Sequence, residues 1–247
     1  MGPTGQTRAR ELGARLSGQG TCGTLYAVNL FERMLRIDVS ALSDADKTLP
    51  VVDPAVRAMI PDVRMAGPAF TVRADDDHLP VMAALAEAAP GDVLVIAANG
   101  GSRAVFGELF ATEARRRRLA GIVADGFCRD LRGLREIGLA VFARGTTPRS
   151  GTTESRADLG VTVVCGGVEV SPGDIVFGDD DGLLIATEER IAAALDTAEA
   201  IGRSERAILA AQAEGEALHA LTNYDEHVAA LDRGESSALA FRVDERH

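Results

Sequence analysis

The sequence predicts an α/β fold. From residue 67 onward, short apolar runs rich in Val and Ile alternate with stretches of helical spacing, the pattern of parallel strands joined by helices. The runs end in small or polar residues, and a chain of 247 residues is long enough to bury the core such a fold needs.

Residues 1–40 carry apolar positions every three or four residues, around Leu25, Val28, Leu30, Met34 and Leu35, which predicts helix. Within them SGQGTCG formally matches GxGxxG (Gly18, Gly20, Gly23). A dinucleotide fingerprint must follow a buried strand, and ARELGARL is not one, so this stretch reads as a turn between helices. GPAFTVR then predicts a strand, and LPVMAALAEAAPGD a helix stopped by Pro90 and Gly91. Val93 to Ala97 predicts a buried strand running into the loop NGGSR, followed by a helix from about Gly107 to Arg118. GIVAD, LRGLREIG and LAVFARG continue the alternation as strand, short helix and strand. After Pro148 the chain turns β-rich, with LGVTVVCGGVEV and two apolar strands joined at DDDG (179–182). Here a hairpin turn is favoured over a metal cluster, since Asp-Gly is turn chemistry. An Ala-rich helix runs from Glu188 to about Gly215. The expected division is an N-terminal helical segment (1–60), an α/β domain (61–215) and a C-terminal helical tail (216–247).

Composition excludes several classes. A net charge of −11 argues against nucleic acid as a partner, and the one basic run, ARRRRLA (114–120), reads as a solvated helix end whose cations suit the dipole. No apolar stretch reaches membrane-spanning length and the first residues lack a signal-peptide core, which predicts a cytoplasmic protein with no membrane partner. Three widely spaced cysteines (Cys22, Cys128, Cys165) suit neither a disulfide framework nor a zinc site. Lys47, the only lysine, lies in a polar loop, which disfavours Schiff-base chemistry. No histidine pair has zinc spacing, so a bound metal would be held by oxygen, as Mg²⁺ or Mn²⁺ are.

Two predicted strand ends hold the candidate chemistry. NGGSRAVFGEL (99–109) allows close backbone approach, and Gly107 precedes a helix start whose N–H groups suit a carboxylate. ADGFCRD (124–130) places Arg129 and Asp130 at the next helix start, where Asp130 is either an N-cap or a functional carboxylate. Asp125-Gly126 reads as turn chemistry, and Glu108 either complements the helix dipole or contributes to a site. His78 reads as a helix-start residue, Arg149 and Thr147 are placed to meet the distal part of a ligand, and Cys128 reads as packing.

The combined pattern GGSRAVFGELFATEARRRRLAGIVADGFCRD resembles the core of the RraA-like family, which includes class II 4-hydroxy-4-methyl-2-oxoglutarate/4-carboxy-4-hydroxy-2-oxoadipate aldolases. The likeness extends upstream through GPAFTV and downstream through GTTPRS and SPGDIVFGDDDGLLIA, covering roughly 65–205. It implies a swivelling β/β/α-type fold assembled as a homotrimer or homohexamer with sites between subunits. It implies a lyase that cleaves the C3–C4 bond of a 4-hydroxy-2-oxo acid, or decarboxylates oxaloacetate, by way of a pyruvate enolate. Carried onto this sequence, Asp130 would anchor Mg²⁺ or Mn²⁺, with Glu108 supporting it through coordinated water. Backbone N–H groups from Gly107 through Glu108 to Leu109 would hold the substrate carboxylate, and Arg129 would face the 2-oxo oxygen. Glu205, or alternatively Glu199, would reach the site from a neighbouring subunit. Three other readings stay open: a non-catalytic regulator of RNA-degrading machinery, as some family members are; a lyase for a different acid; and a methyltransferase, which would need a nucleotide-type glycine turn that SGQGTCG does not supply in its context.

Overall fold

The computed structural model describes residues 30–242; Leu25, Val28 and SGQGTCG lie outside them. Residues 30–34 are helical and lead to α1 (Val39–Ala45). The core then alternates β2 (Met65–Arg73), α2 (Leu79–Glu87), β3 (Val93–Ala97), α3 (Glu108–Arg116), β5 (Gly121–Cys128), α4 (Leu131–Ile137) and β6 (Ala140–Thr146), after a two-residue β1 (Arg57–Ala58) and with a short β4 (Ala104–Phe106) before α3. Strands β2, β3, β5 and β6 are parallel neighbours in chain order. Right-handed crossovers of strands added in one direction put their helices on one face, and the packing follows. Val81, Leu85, Ala111, Ala114 and Leu134 of the three helices share a cluster with Leu94, Ile96, Ile122 and Val141 of the strands.

The alternate strand residues Val93, Val95, Val123 and Phe142 face the other way. They meet the hairpin of β8 (Val163–Cys165) and β9 (Val168–Val170), which follows β7 (Asp158–Leu159). A strand buried on both faces reads as one continuous apolar run, which is why VLVIA is buried at all five positions. Beyond β2 the sheet continues antiparallel through β10 (Ile175–Asp179) and β11 (Gly182–Ala186), while β1 closes the edge at β6. On β10 and β11, Phe177 and Leu184 pack under Leu30, Met34 and Leu42 and under Ile191 and Leu195 of the 26-residue α5 (Glu188–Ala213). A 3₁₀ turn (Leu218–Leu221) and α6 (Tyr224–Asp232) follow. Among the described residues no helix is long and apolar enough to cross a membrane.

The turn at 179–182 is a tight hairpin in which Asp179 pairs with Gly182. The buried Asp179 carboxylate also accepts the backbone N–H of Val39 at 2.9 Å, tying α1 to the hairpin. ADGFCRD departs from expectation: Ala124 to Cys128 belong to β5, with a register shift against β6 between Ala124 and Phe127, and only Arg129 and Asp130 leave the strand. Asp125 is therefore a buried strand residue, not a turn residue, held by the Arg144 guanidinium and the Gly166 N–H.

Phe142 is fully buried at the crossing of β6 with the β10–β11 hairpin. Phe142→Ala should lower stability by about 3–5 kcal/mol. Urea unfolding should show a reduced midpoint at unchanged slope, as expected when stability changes and the unfolded state does not.

Candidate functional site

Ligand sites in open α/β sheets form outside the carboxyl ends of the parallel strands. Four segments meet there: residues 74–78 after β2, 98–103 after β3, 129–130 after β5 and 147–155 after β6.

Three consecutive aspartates after β2 hold the surrounding loops. Asp75 accepts from Asn99 Nδ2. Asp76, in the left-handed region at φ 50°, accepts from the backbone N–H of Arg103 at 2.7 Å and of Ser102 at 3.2 Å. Asp77 is inaccessible to solvent and accepts four hydrogen bonds, from the N–H groups of Leu79, Glu154 and Ser155 and from the Thr152 hydroxyl, at 2.7 to 2.9 Å. Burial alone would raise its carboxyl; the Glu154, Leu79 and Ser155 N–H groups and the Thr152 hydroxyl outweigh that and hold it well below the ordinary range. The run went unrecognised in the sequence, where its signal was three acidic residues at a strand end.

The chain leaves β5 through Arg129 and turns into α4 at Asp130, which adopts φ 60°, ψ 41°. A left-handed non-glycine residue is uncommon and costs free energy. Asp130 precedes α4 in the N-cap position but makes no side-chain cap bond there. Its Oδ2 instead accepts from the Glu108 N–H at 3.3 Å, the first amide of α3, and lies 3.4 Å from Arg129 Nε. The N-cap reading is thus corrected: the left-handed backbone directs the carboxylate to the neighbouring helix. Gly107 makes the approach possible, since a Cβ there would lie 2.5 Å from Asp130 Oδ2 and 2.8 Å from Arg129 Cγ.

Gly107, Arg129 and Asp130 line a shallow pocket with His78, Phe110 and Ser150. Leu109 is on its rim, 77% exposed. The pocket is small, about 30 Å³, and its claim rests on chemistry; a roomier cavity lies elsewhere. Glu108 contributes its backbone here, while its carboxylate lies over Gly133 of α4, where a Cβ would be 2.3 Å from Oε2. His78 packs edge-on against Phe110 with ring centroids 5.8 Å apart. Arg149 and Thr147 lie outside the lining, and Ser150 takes that place. Burial pushes the Cys128 thiol up to about 11, with the Asp130 charge adding to it, as suits a packing residue.

Glu205 is half-buried on the distal part of α5 and does not line this pocket. Glu199 is ion-paired with Arg33 at 2.7 Å. Among the described residues no group of three or more His, Cys, Asp or Glu side chains forms a metal cage. The donor chemistry of Asp130 fits a different arrangement: Mg²⁺ keeps most of its waters and is held by one or two carboxylates. Asp130 is such a carboxylate, 40% exposed, and its Oδ1 meets no donor among the described residues.

The sequence profile of the family described as Aldolase/RraA matches residues 8–185. The chain belongs to the Aldolase/RraA family. A relative from Halalkalibacterium halodurans, which carries the provisional name 4-hydroxy-4-methyl-2-oxoglutarate aldolase, is 34% identical over 160 residues, covering 64% of this chain and 76% of its own. The structure of an uncharacterized Pseudomonas syringae protein superposes with a TM-score of 0.69 at 25% identity, covering 77% of this chain and 95% of that one. The Thermus thermophilis RNA-processing inhibitor RraA superposes at 0.56 with 31% identity, covering 60% and 92%. The mixed α/β architecture is therefore the RraA-like fold.

Asp77→Asn places an amide against backbone donors and should cost about 3 kcal/mol. Because the folded carboxyl titrates below its unfolded value of about 3.9, its contribution is complete above that value and is lost as pH falls through the folded one. The stability gap between wild type and Asp77→Asn in urea should thus be constant from about pH 7 to 5 and narrow below about 4. A gap indifferent to pH would contradict the role given to this carboxylate.

Proposed function

We infer that this RraA-like protein is a divalent-metal-dependent lyase acting on a small 2-oxo acid. Its reaction is cleavage of the C3–C4 bond of a 4-hydroxy-2-oxo acid or decarboxylation of oxaloacetate, both of which leave a pyruvate enolate. The observation that carries the reading is the convergence of Arg129, Asp130 and the start of α3 around Gly107. The provisional aldolase name of the Halalkalibacterium relative supports it.

Asp130 would hold Mg²⁺ or Mn²⁺, and such an ion supplies Lewis acidity for negative charge developing on the 2-oxo oxygen. Arg129 is a permanently protonated fork beside it. Aimed at the same oxygen, it stabilises the charge arriving when the C3–C4 electrons delocalise; one such group contributes ~3–4 kcal/mol to the transition state. The Glu108 N–H already donates to Asp130, so the N–H groups of Gly107 and Leu109 are the ones available to a substrate carboxylate. From a neighbouring subunit, Glu205 would supply a carboxylate to accept the 4-hydroxyl proton through water; the Glu108 carboxylate, directed over Gly133, would join it only by turning toward the pocket. With one lysine in the chain, at an exposed ion pair with Asp44, the residues offer no Schiff-base alternative. A homotrimer or homohexamer with shared sites, in a reducing cytoplasmic setting that suits the free Cys128 and Cys165, completes the proposal.

The second reading is a non-catalytic regulator of RNA-degrading proteins, which the likeness to the Thermus RraA structure favours. Pyruvate release from oxaloacetate and from 4-hydroxy-4-methyl-2-oxoglutarate, with Mg²⁺ and with EDTA, separates the two. Wild type should release pyruvate only with metal, and Asp130→Ala should abolish release; wild-type turnover in that variant removes the metal assignment. Arg129→Lys should lower kcat by ~10²–10³, because a point charge does not reproduce the fork. Metal binding without turnover on either acid would point to a lyase for another acid. Absence of both turnover and metal binding would favour the regulator.

Mixed oligomers of Glu205→Ala and Asp130→Ala subunits should regain activity that neither variant has alone. No recovery in oligomers shown to be mixed would count against a site shared between subunits.

A further inference from the structure

α3 and α4 start at the candidate site and end at the opposite edge of the sheet, where a cavity of about 470 Å³ opens beside β5 and β6. Three arginines reach it. Arg64 is fixed, donating through Nη1 to the Ile37 carbonyl at 2.7 Å and pairing with Asp38. Arg115 and Arg118 come from the end of α3 and the residue just beyond its cap. Offsetting the helix dipole is a sufficient account of their neighbours. Arg116 pairs with Glu113 at 2.6 Å, and Arg117 donates to the Ala88 carbonyl at 3.0 Å. Arg115 and Arg118 have no comparable partners. Both are exposed and, among the described residues, neither meets a carboxylate; Arg115 makes only a 3.5 Å contact with the Gly138 carbonyl. One acidic residue, Asp62, lines the cavity, whose mainly polar wall also includes the half-buried Val63 and the edges of the core residues Leu119 and Leu139. Two guanidiniums that meet no carboxylate among the described residues, facing one cavity, stand out in a chain of net charge −11.

We propose that this cavity binds a small organic dianion, with its oxyanion groups on Arg115 and Arg118 and its carbon body against Val63 and the edges of Leu119 and Leu139. Guanidinium forks match carboxylate and phosphate oxygens bidentately, and the volume is that of a small-molecule site. Dicarboxylates and phosphate monoesters share this chemistry.

Titration calorimetry on the full-length protein with glutarate, phenyl phosphate and sulfate tests it. At least one of the two organic dianions should bind saturably, at least tenfold more tightly than sulfate, and the tighter of the two identifies the class. Affinity should be unchanged in Arg129→Ala, which removes the cation of the candidate active site, and at least tenfold weaker in Arg115→Ala/Arg118→Ala with an unaltered thermal midpoint. Binding lost in Arg129→Ala and kept in the double variant would assign the ligand to the other site and overturn the proposal. Sulfate binding as tightly as the organic dianions, or no saturable binding of either, would overturn it as well.

Discussion

The Asp130 carboxylate reaches the first amide of α3 through space left by the missing side chain of Gly107. That approach joins the end of β5 to the start of α3, two places 22 residues apart in the chain, and it sets where Arg129, Asp130 and the first amides of α3 stand relative to one another. Asp130 pays for it with a left-handed backbone that a non-glycine residue adopts only when its surroundings impose it. Arg129 is carried along: its N–H donates to the Phe106 carbonyl at 3.1 Å, so the guanidinium leaves the strand beside the carboxylate. A cation and an anion side by side, both about 40% exposed, neutralise each other only partly. Each keeps capacity for a ligand of opposite charge.

Around this junction the walls are held by buried or half-buried aspartates. Asp77 clamps residues 152–155, Asp76 clamps 102–103, and Asp125 binds Arg144 and the Gly166 amide from the far face of the sheet. The arrangement is economical because one carboxylate satisfies several backbone donors that loops would otherwise expose or leave unpaired. It also accounts for part of the acidic character of the chain by structural means. These carboxylates are structural anions whose negative charge is met by backbone N–H groups and, at Asp125, by the Arg144 guanidinium.

What was legible in the sequence follows from which forces are local. Residues 93–97 were readable to the residue because burial on both faces leaves no polar position in the strand. Most of the helices and the 179–182 hairpin were readable because spacing and Asp-Gly turn preference act over a few residues; α1 was not, since it runs past residue 40 into the polar stretch that holds Lys47. Asp125 was not, because Asp-Gly is also favoured in turns. What keeps it in a strand is Arg144, 19 residues on, which supplies the countercharge that makes its burial tolerable. β4 was not readable either, since its three residues are held by β5 and by the segment at Arg149 to Gly151, both distant in the chain. Gly107, Glu108, Arg129 and Asp130 were picked out by their pattern. That the Glu108 carboxylate turns away over Gly133, leaving only its amide beside Asp130, depends on α3 lying against α4.

The same pair of helices explains why charge is divided between the two edges of the sheet. Helix N-termini favour anions and C-termini favour cations. α3 and α4 run side by side in the same direction, so their starts form one electropositive edge and their ends one electronegative edge. At the starts, Asp130 takes up the free amide of Glu108 and the neighbouring amides remain for a carboxylate. At the ends, the arginines of 115–118 gather, and two of them meet no carboxylate among the described residues. A parallel βαβ arrangement thus produces an anion-seeking site at one edge through backbone amides. At the other edge it gathers arginines, and the proposed second anion site rests on the two of them without a carboxylate partner.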